Sequence, residues 1–279
     1  MNKRLFATAF AILSSCCAFT AAAGDNDDMG MDLSVGVEKK LTQTLDIDLE
    51  YNLRTQDNTS QLERMGLGVG LGYKLVNTKK FDVKFNVGFE YIYKYTLKST
   101  EDKYSDVKVS GSVVDRKWSG YNETASFWRG RSRASVGFSA SYKPNKRWSF
   151  SLKETFQYNH YNVTDSIDIV KYRIKTNLDD EEYISTEKSK KVKEAKNRTV
   201  LRSKLGAQYD IKHSPFAPYA SVDYGRGINY NVNKWKFTAG TDFKINKQHK
   251  INVFYRFQTE NDDDEPNGHI IGLGYNYKF

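Results

Sequence analysis

Four histidines, His160, His213, His249 and His269, are the residues best suited to general-base or nucleophile-activating chemistry, because unperturbed imidazole titrates close to neutral pH. His269 is placed by the strand reading below so that it could meet Asp223 or Asp262 near one rim. No serine or paired-acid motif accompanies it, so the sequence assigns no catalytic residue and the chain reads as a non-enzyme. Asp262-Asp263-Asp264-Glu265 could offer carboxylate oxygens to a divalent cation. The run lacks the ligand spacing and the glycine of a calcium loop, so it reads as a solvated acidic segment, and no metal or cofactor is expected. Gly66-Leu67-Gly68-Val69-Gly70 invites a phosphate-loop reading. That reading needs a helix after the glycines, and instead an alternation of period two runs straight through them. Small residues then leave room on a crowded inner wall. The basic run Lys188 to Arg198, with Lys190, Lys191, Lys193 and Lys196, could meet phosphates or acidic glycans, although such a run is commonly a solvated face. Without an aromatic platform beside it, nucleic acid is not an expected partner.

The elements that must position these residues are strands. In Phe81 to Leu97 every odd position is apolar, and the even positions are polar or small except Ile92, which is the signature of a strand with one apolar face. The same alternation marks Leu45 to Leu53 and Met65 to Leu75. It recurs near residues 131–143, 148–158, 198–211, 217–225, 234–245, 250–259 and 269–279. These segments make ten strands, and 31–39 is a candidate for another. Composition agrees: 19 Tyr, 16 Phe and 4 Trp stand against 4 Pro and 2 Cys, a balance that favours strands. After the N-terminus no apolar run of about 20 residues could form a membrane helix.

Lys3 and Arg4, the apolar run Leu5 to Leu13 and Ala21-Ala22-Ala23 before Gly24 form a signal peptide pattern over residues 1–23. Cleavage there removes both cysteines, which suits an oxidising compartment, and leaves 24–279 as one domain. Leu13-Ser14-Ser15-Cys16 also resembles a lipobox that would acylate Cys16.

Short polar connections (76–80, 143–147, 212–216, 246–249) alternate with longer ones (55–63, 99–130, 159–197, 226–233, 260–268). Short turns on one side and long loops on the other are the pattern of an outer-membrane barrel, with the short set in the periplasm. Threading the strands in that order sends Tyr91, Tyr93, Tyr95, Trp128, Tyr158, Tyr224, Trp235, Tyr255 and Phe257 toward the outer rim. Tyr73, Phe81, Tyr142, Trp148, Tyr209, Phe243, Tyr275, Tyr277 and Phe279 collect at the other. Two aromatic belts result, as amphipathic rings at two interfaces require. The expected fold is an all-β, transmembrane, antiparallel up-and-down β-barrel of 10 to 12 strands with short periplasmic turns and long extracellular loops. Glu154 interrupts the apolar face of its strand and calls for a bulge, a displacement toward the rim or a protonated carboxyl.

The last segment, His269 to Phe279, carries Tyr275, Tyr277 and Phe279 at alternating positions and resembles the terminal strand read by the outer-membrane barrel assembly machinery. Val37-Glu38-Lys39-Lys40-Leu41, Leu201-Arg202-Ser203-Lys204-Leu205, Ala217-Pro218-Tyr219, Asn246-Lys247-Gln248-His249 and Ile271-Gly272-Leu273-Gly274-Tyr275 resemble an uncharacterised bacterial outer-membrane β-barrel family, domain of unknown function family 2490. The likeness covers nearly all of the mature chain, with 99–130 and 159–197 lengthened, and it carries over no catalytic residue. It implies a barrel, with outer-membrane lipid, lipopolysaccharide and the assembly machinery as partners.

The inward phase of the alternation holds Glu50, Arg64, Glu90, Lys94, Arg131, Arg133, Lys153, Arg202, Lys204, Asp223, Lys236 and Arg256. In a lumen of middling width these form either a plug of ion pairs or the lining of a narrow channel. The expected product is a monomeric, structural or surface-binding barrel with a mostly plugged lumen; a small-solute channel and a surface enzyme are the alternatives. One parity problem stays open. With Phe279 in the periplasm, strand 45–54 runs outward and 31–39 must run inward, so either ten strands close and 31–39 pairs partly or lies in the lumen, or one strand is missing from the count.

Overall fold

A computed structural model describes residues 28–109, 112–176, 182–261 and 267–279; the signal segment, Cys16 and the Asp262 to Glu265 run lie outside them. The described residues form strands and no helix: β1 (Asp28–Lys40), β2 (Leu45–Gln56), β3 (Gln61–Asn77), β4 (Phe81–Thr96), β5 (Ser99–Val109), β6 (Ser112–Thr124), β7 (Phe127–Tyr142) and β8 (Trp148–Tyr161). They continue with β9 (Thr164–Thr176), β10 (Glu182–Lys193), β11 (Lys196–Tyr209), β12 (Phe216–Gly227), β13 (Asn233–Lys244), β14 (His249–Glu260) and β15 (Gly268–Lys278).

Eleven of these close a barrel in the order β1-β15-β14-β13-β12-β11-β8-β7-β4-β3-β2. The ten strands marked by alternation are all in it, and 31–39 is the eleventh. β1 pairs antiparallel with β2 and parallel with β15, from Asp28 opposite Gly268 to Glu38 opposite Lys278. The parity problem is thereby resolved: the first and last strands both run toward the rim of short connections, and one parallel seam joins them.

Three connections are corrected. The long loops expected at 99–130 and 159–197 contain β5, β6, β9 and β10, which pair as a separate four-stranded sheet in the order β10-β9-β6-β5. β10 reads Glu-Tyr-Ile-Ser-Thr-Glu-Lys-Ser-Lys-Lys-Val-Lys and is largely exposed along its length, so neither face is apolar enough to leave a period of two. This unit is pinned by ring stacking of Tyr121 on Tyr172 at 4.3 Å between centroids and by Arg173, whose guanidinium donates to Asn122 and to two backbone carbonyls. The expected loop 55–63 is instead a tight turn, with Asp57, Asn58 and Thr59 at positive φ.

The barrel is inside-out in its polarity. Leu67 and Phe138 are each 53% exposed and Leu205 61%, whereas Arg54, Glu63 and Gln258 are 2%, 1% and 2% exposed. Period-two alternation produces this directly, since adjacent side chains point to opposite faces of the wall. Aromatics pair across strands at both ends: Tyr224 with Trp235 at 4.5 Å and Tyr93 with Trp128 at 4.8 Å at one, and Phe81 with Tyr142, Trp148 with Tyr209 and Phe216 with Phe243 at the other. Glu154 stays on the outward face, where its carboxylate accepts a 2.7 Å hydrogen bond from the Ser203 hydroxyl on the neighbouring strand.

Candidate functional site

The lumen is where charge and space coincide. A cavity of about 410 Å³ is lined by Arg54, Arg64, Arg133, Lys153, Arg202, Lys204, Lys236 and Arg256 against Asp32, Asp48, Glu50, Glu90 and Asp223. A second, of about 390 Å³, lies toward the short connections and is lined mostly by small and neutral side chains, among them Ser34, Ser151, Gly206, Tyr219, Ser221 and Asn276. Lys204 lines both cavities.

Nearer the opposite rim the lumen narrows to a packed polar layer. Arg54 on β2 is held by the Asp32 carboxylate at 2.9 Å, donates to the Gln258 side-chain oxygen at 3.4 Å and lies 3.8 Å from Glu63. Glu63 reaches this layer because the β2–β3 register shifts at Arg54/Thr55. The extra residue re-aims one side chain inward, as β-bulges do. Arg256 on β14 shares Asp32 at 3.3 Å. One turn of wall further on, Arg133 binds Glu90 at 2.8 Å and donates to Asn159 at 3.0 Å, while Asn52 holds the other Glu90 oxygen at 3.2 Å. Arg202 forks onto both oxygens of Asp223, the planar two-point geometry that suits guanidinium and carboxylate.

The glycines of β3 explain how acids fit here. Asp46, Asp48, Glu50 and Asn52 stand directly opposite Gly72, Gly70, Gly68 and Gly66. A Cβ on Gly70 would come within 2.5 Å of the Asp48 carboxylate, and one on Gly66 within 2.9 Å of both Asn52 and Glu90. The small residues thus clear space on the inner wall for the polar side chains of β2 and β4.

A family model described as "Protein of unknown function (DUF2490)" matches residues 30–269. The chain belongs to this family. The matched span includes nearly all of β1, the four-stranded sheet and the barrel strands through β14, and it ends at the second residue of β15, short of Tyr275, Tyr277 and Phe279. No curated protein matches the chain.

Within the family span, Glu50, Glu90, Arg133, Lys153, Arg202, Lys204, Asp223, Lys236 and Arg256 all line the 410 Å³ cavity. Arg131 is not among the lining residues and is only 5% exposed. The sequence reading missed Asp32, Asp48 and Arg54, although their phase on β1 and β2 matches that of Glu50 and would have found them. The histidines stand apart from the cavity: His249 lies 2.6 Å from the Tyr275 hydroxyl, His160 2.8 Å from the Asn197 side-chain oxygen, and His269 bonds the Tyr255 hydroxyl. Of the two acids suggested for His269, Asp223 is held by Arg202 and Asp262 lies outside the described residues.

Tyr277 packs edge-on against Phe279 at 4.5 Å. The Phe279 N–H donates to the Glu38 carbonyl at 2.9 Å, so the chain end is tied to β1 across the seam.

Proposed function

We propose that this chain is an integral outer-membrane barrel, exported by its first 23 residues, whose lumen is blocked near the outer rim by the Arg54 layer and opens toward the periplasm. The observation that carries the reading is the inverted polarity: leucine, phenylalanine and valine cover the outside while arginine and glutamate are buried. An apolar belt of this kind is stable against lipid, and pairing around a closed barrel satisfies the backbone where no water is available. The aromatic pairs at both ends suit two interfaces. In this reading the short connections face the periplasm. The protein binds rather than catalyses, as a monomer among outer-membrane lipid and lipopolysaccharide, assembled by machinery that reads Tyr275, Tyr277 and Phe279.

A narrow small-solute channel is the second reading, favoured by the two lumen cavities that both reach Lys204. Membrane fractionation tests location: recovery with the outer membrane after inner-membrane extraction supports the proposal, and a soluble periplasmic protein refutes it. Planar bilayers separate the two lumen states, since silence at high potential supports the block and stable single-channel steps favour the channel.

A further inference from the structure

Two groups stand out among the ionic side chains of the lumen. Arg54, Arg133, Arg202 and Arg256 are paired with carboxylates. Lys153, Lys204, Asp48 and Glu50 are not: among the described residues none of the four makes a hydrogen bond or an ion pair. All four are nonetheless exposed, although they point into the barrel and line the same 410 Å³ cavity. They line the cavity without closing into ion pairs.

The two lysines and the two acids lie on different strands, and Asp223, directly opposite Lys204 on β12, is taken up by Arg202. β8 and β11 are neighbours, and their register is given by the Asp210 N–H on the Arg147 carbonyl, the Trp148 and Tyr209 rings, and the Glu154–Ser203 hydrogen bond. That register sets Lys153 directly opposite Lys204, a like-charge cross-strand pair that costs stability. Asp48 and Glu50 are successive inward residues of β2, beside Gly70 and Gly68. Three strands, β3, β4 and β7, separate β2 from β8, so the acids and the lysines occupy different walls of one cavity. Charges of opposite sign that face one cavity without closing into direct ion pairs fit a ligand that carries both signs itself.

We propose that the lumen binds a small zwitterion of the amino-acid or short-peptide class, with its carboxylate on Lys153 and Lys204 and its ammonium on Asp48 and Glu50. A cavity of about 410 Å³ sits at the small end of ligand sites, which excludes longer oligomers. A singly charged solute would satisfy only one wall. The inference rests on the closed barrel and not on its cellular location, so its failure leaves the outer-membrane reading standing.

The test is ligand-observed saturation-transfer NMR on the purified full chain in lipid nanodiscs, titrated with glycylglycine, N-acetylglycine and glycinamide. Glycylglycine is expected to bind about tenfold more tightly than either singly charged probe. The double variant Lys153→Met/Lys204→Met weakens glycylglycine and N-acetylglycine about tenfold and leaves glycinamide unchanged, whereas Asp48→Asn/Glu50→Gln weakens glycylglycine and glycinamide and spares N-acetylglycine. Gel mobility before and after boiling verifies that each variant closes its barrel. If a double variant does not fold, the comparison of the three probes on the parent chain decides. Glycylglycine binding no tighter than N-acetylglycine, or unchanged in both folded double variants, overturns the proposal.

Discussion

Replacing Arg54 by methionine tests whether the outer layer of the lumen is held by its ion pairs. Arg54 is 2% exposed and touches Asp32 at 2.9 Å, Gln258 at 3.4 Å and Glu63 at 3.8 Å. Methionine keeps much of the side-chain length and removes the charge. Breaking a buried pair by deleting one partner costs about 3–5 kcal/mol, because the other charge is left buried. Asp32 retains Arg256 at 3.3 Å, so the loss falls at the lower end, about 3 kcal/mol. Part of it falls on Glu63, which lies 3.8 Å from Arg54, is 1% exposed and cannot turn to water. Adding Glu63→Gln removes that second charge and should bring the double variant back toward the parent. The assay is urea unfolding of the protein folded into lipid vesicles, followed by tryptophan fluorescence. A single variant within about 0.5 kcal/mol of the parent, the range of surface substitutions, or a double variant less stable than the single, would refute the account. On the blocked-lumen reading, the same single variant should also show conductance steps that the parent lacks.

Three further outcomes are expected. Gly137→Ala should sharply reduce the yield of folded barrel on refolding, because its Cβ would lie 2.1 Å from the Glu154 carbonyl oxygen, on a backbone that cannot swing away; Gly68→Ala, whose nearest contact is 3.6 Å, should refold normally. Deleting Phe279 should lower membrane yield in cells while leaving refolding into detergent intact, and equal losses in both would mean that the residue acts only by closing the seam through Glu38. On the outer-membrane reading, Glu154→Leu should stabilise the protein in bilayers by up to about 2 kcal/mol, since a carboxylate on a lipid-facing strand is costly, and a lower urea midpoint would show that the Ser203 hydrogen bond outweighs that cost.

The barrel was legible because alternation reports which face a side chain takes, and ten strands announce themselves that way. Alternation is blind to direction, however, so nothing in 31–39 says that β1 joins β15 in parallel. It also fails where both faces are polar, as in β10, whereas β9 does carry an alternation, Val170, Tyr172 and Ile174 between lysines and an arginine, inside a segment read as a loop. The lumen shows the same division. Phase alone selects the inward charges and would have added Asp32, Asp48 and Arg54 had it been applied evenly to β1 and β2. Phase does not say which charges meet. Asp32 pairs with Arg256, a partner 224 residues away, because β1 and β14 flank β15 in the closed wall. Glu63 enters the lumen only because a bulge shifts the register beside it. Pairing depends on the stagger between strands, and that stagger is set by closure of the whole barrel. What separates Lys153 and Lys204 from the arginines around them is therefore a property of the closed ring and not of any one strand: on every strand they read as ordinary inward cations, and only the assembled wall leaves them facing water.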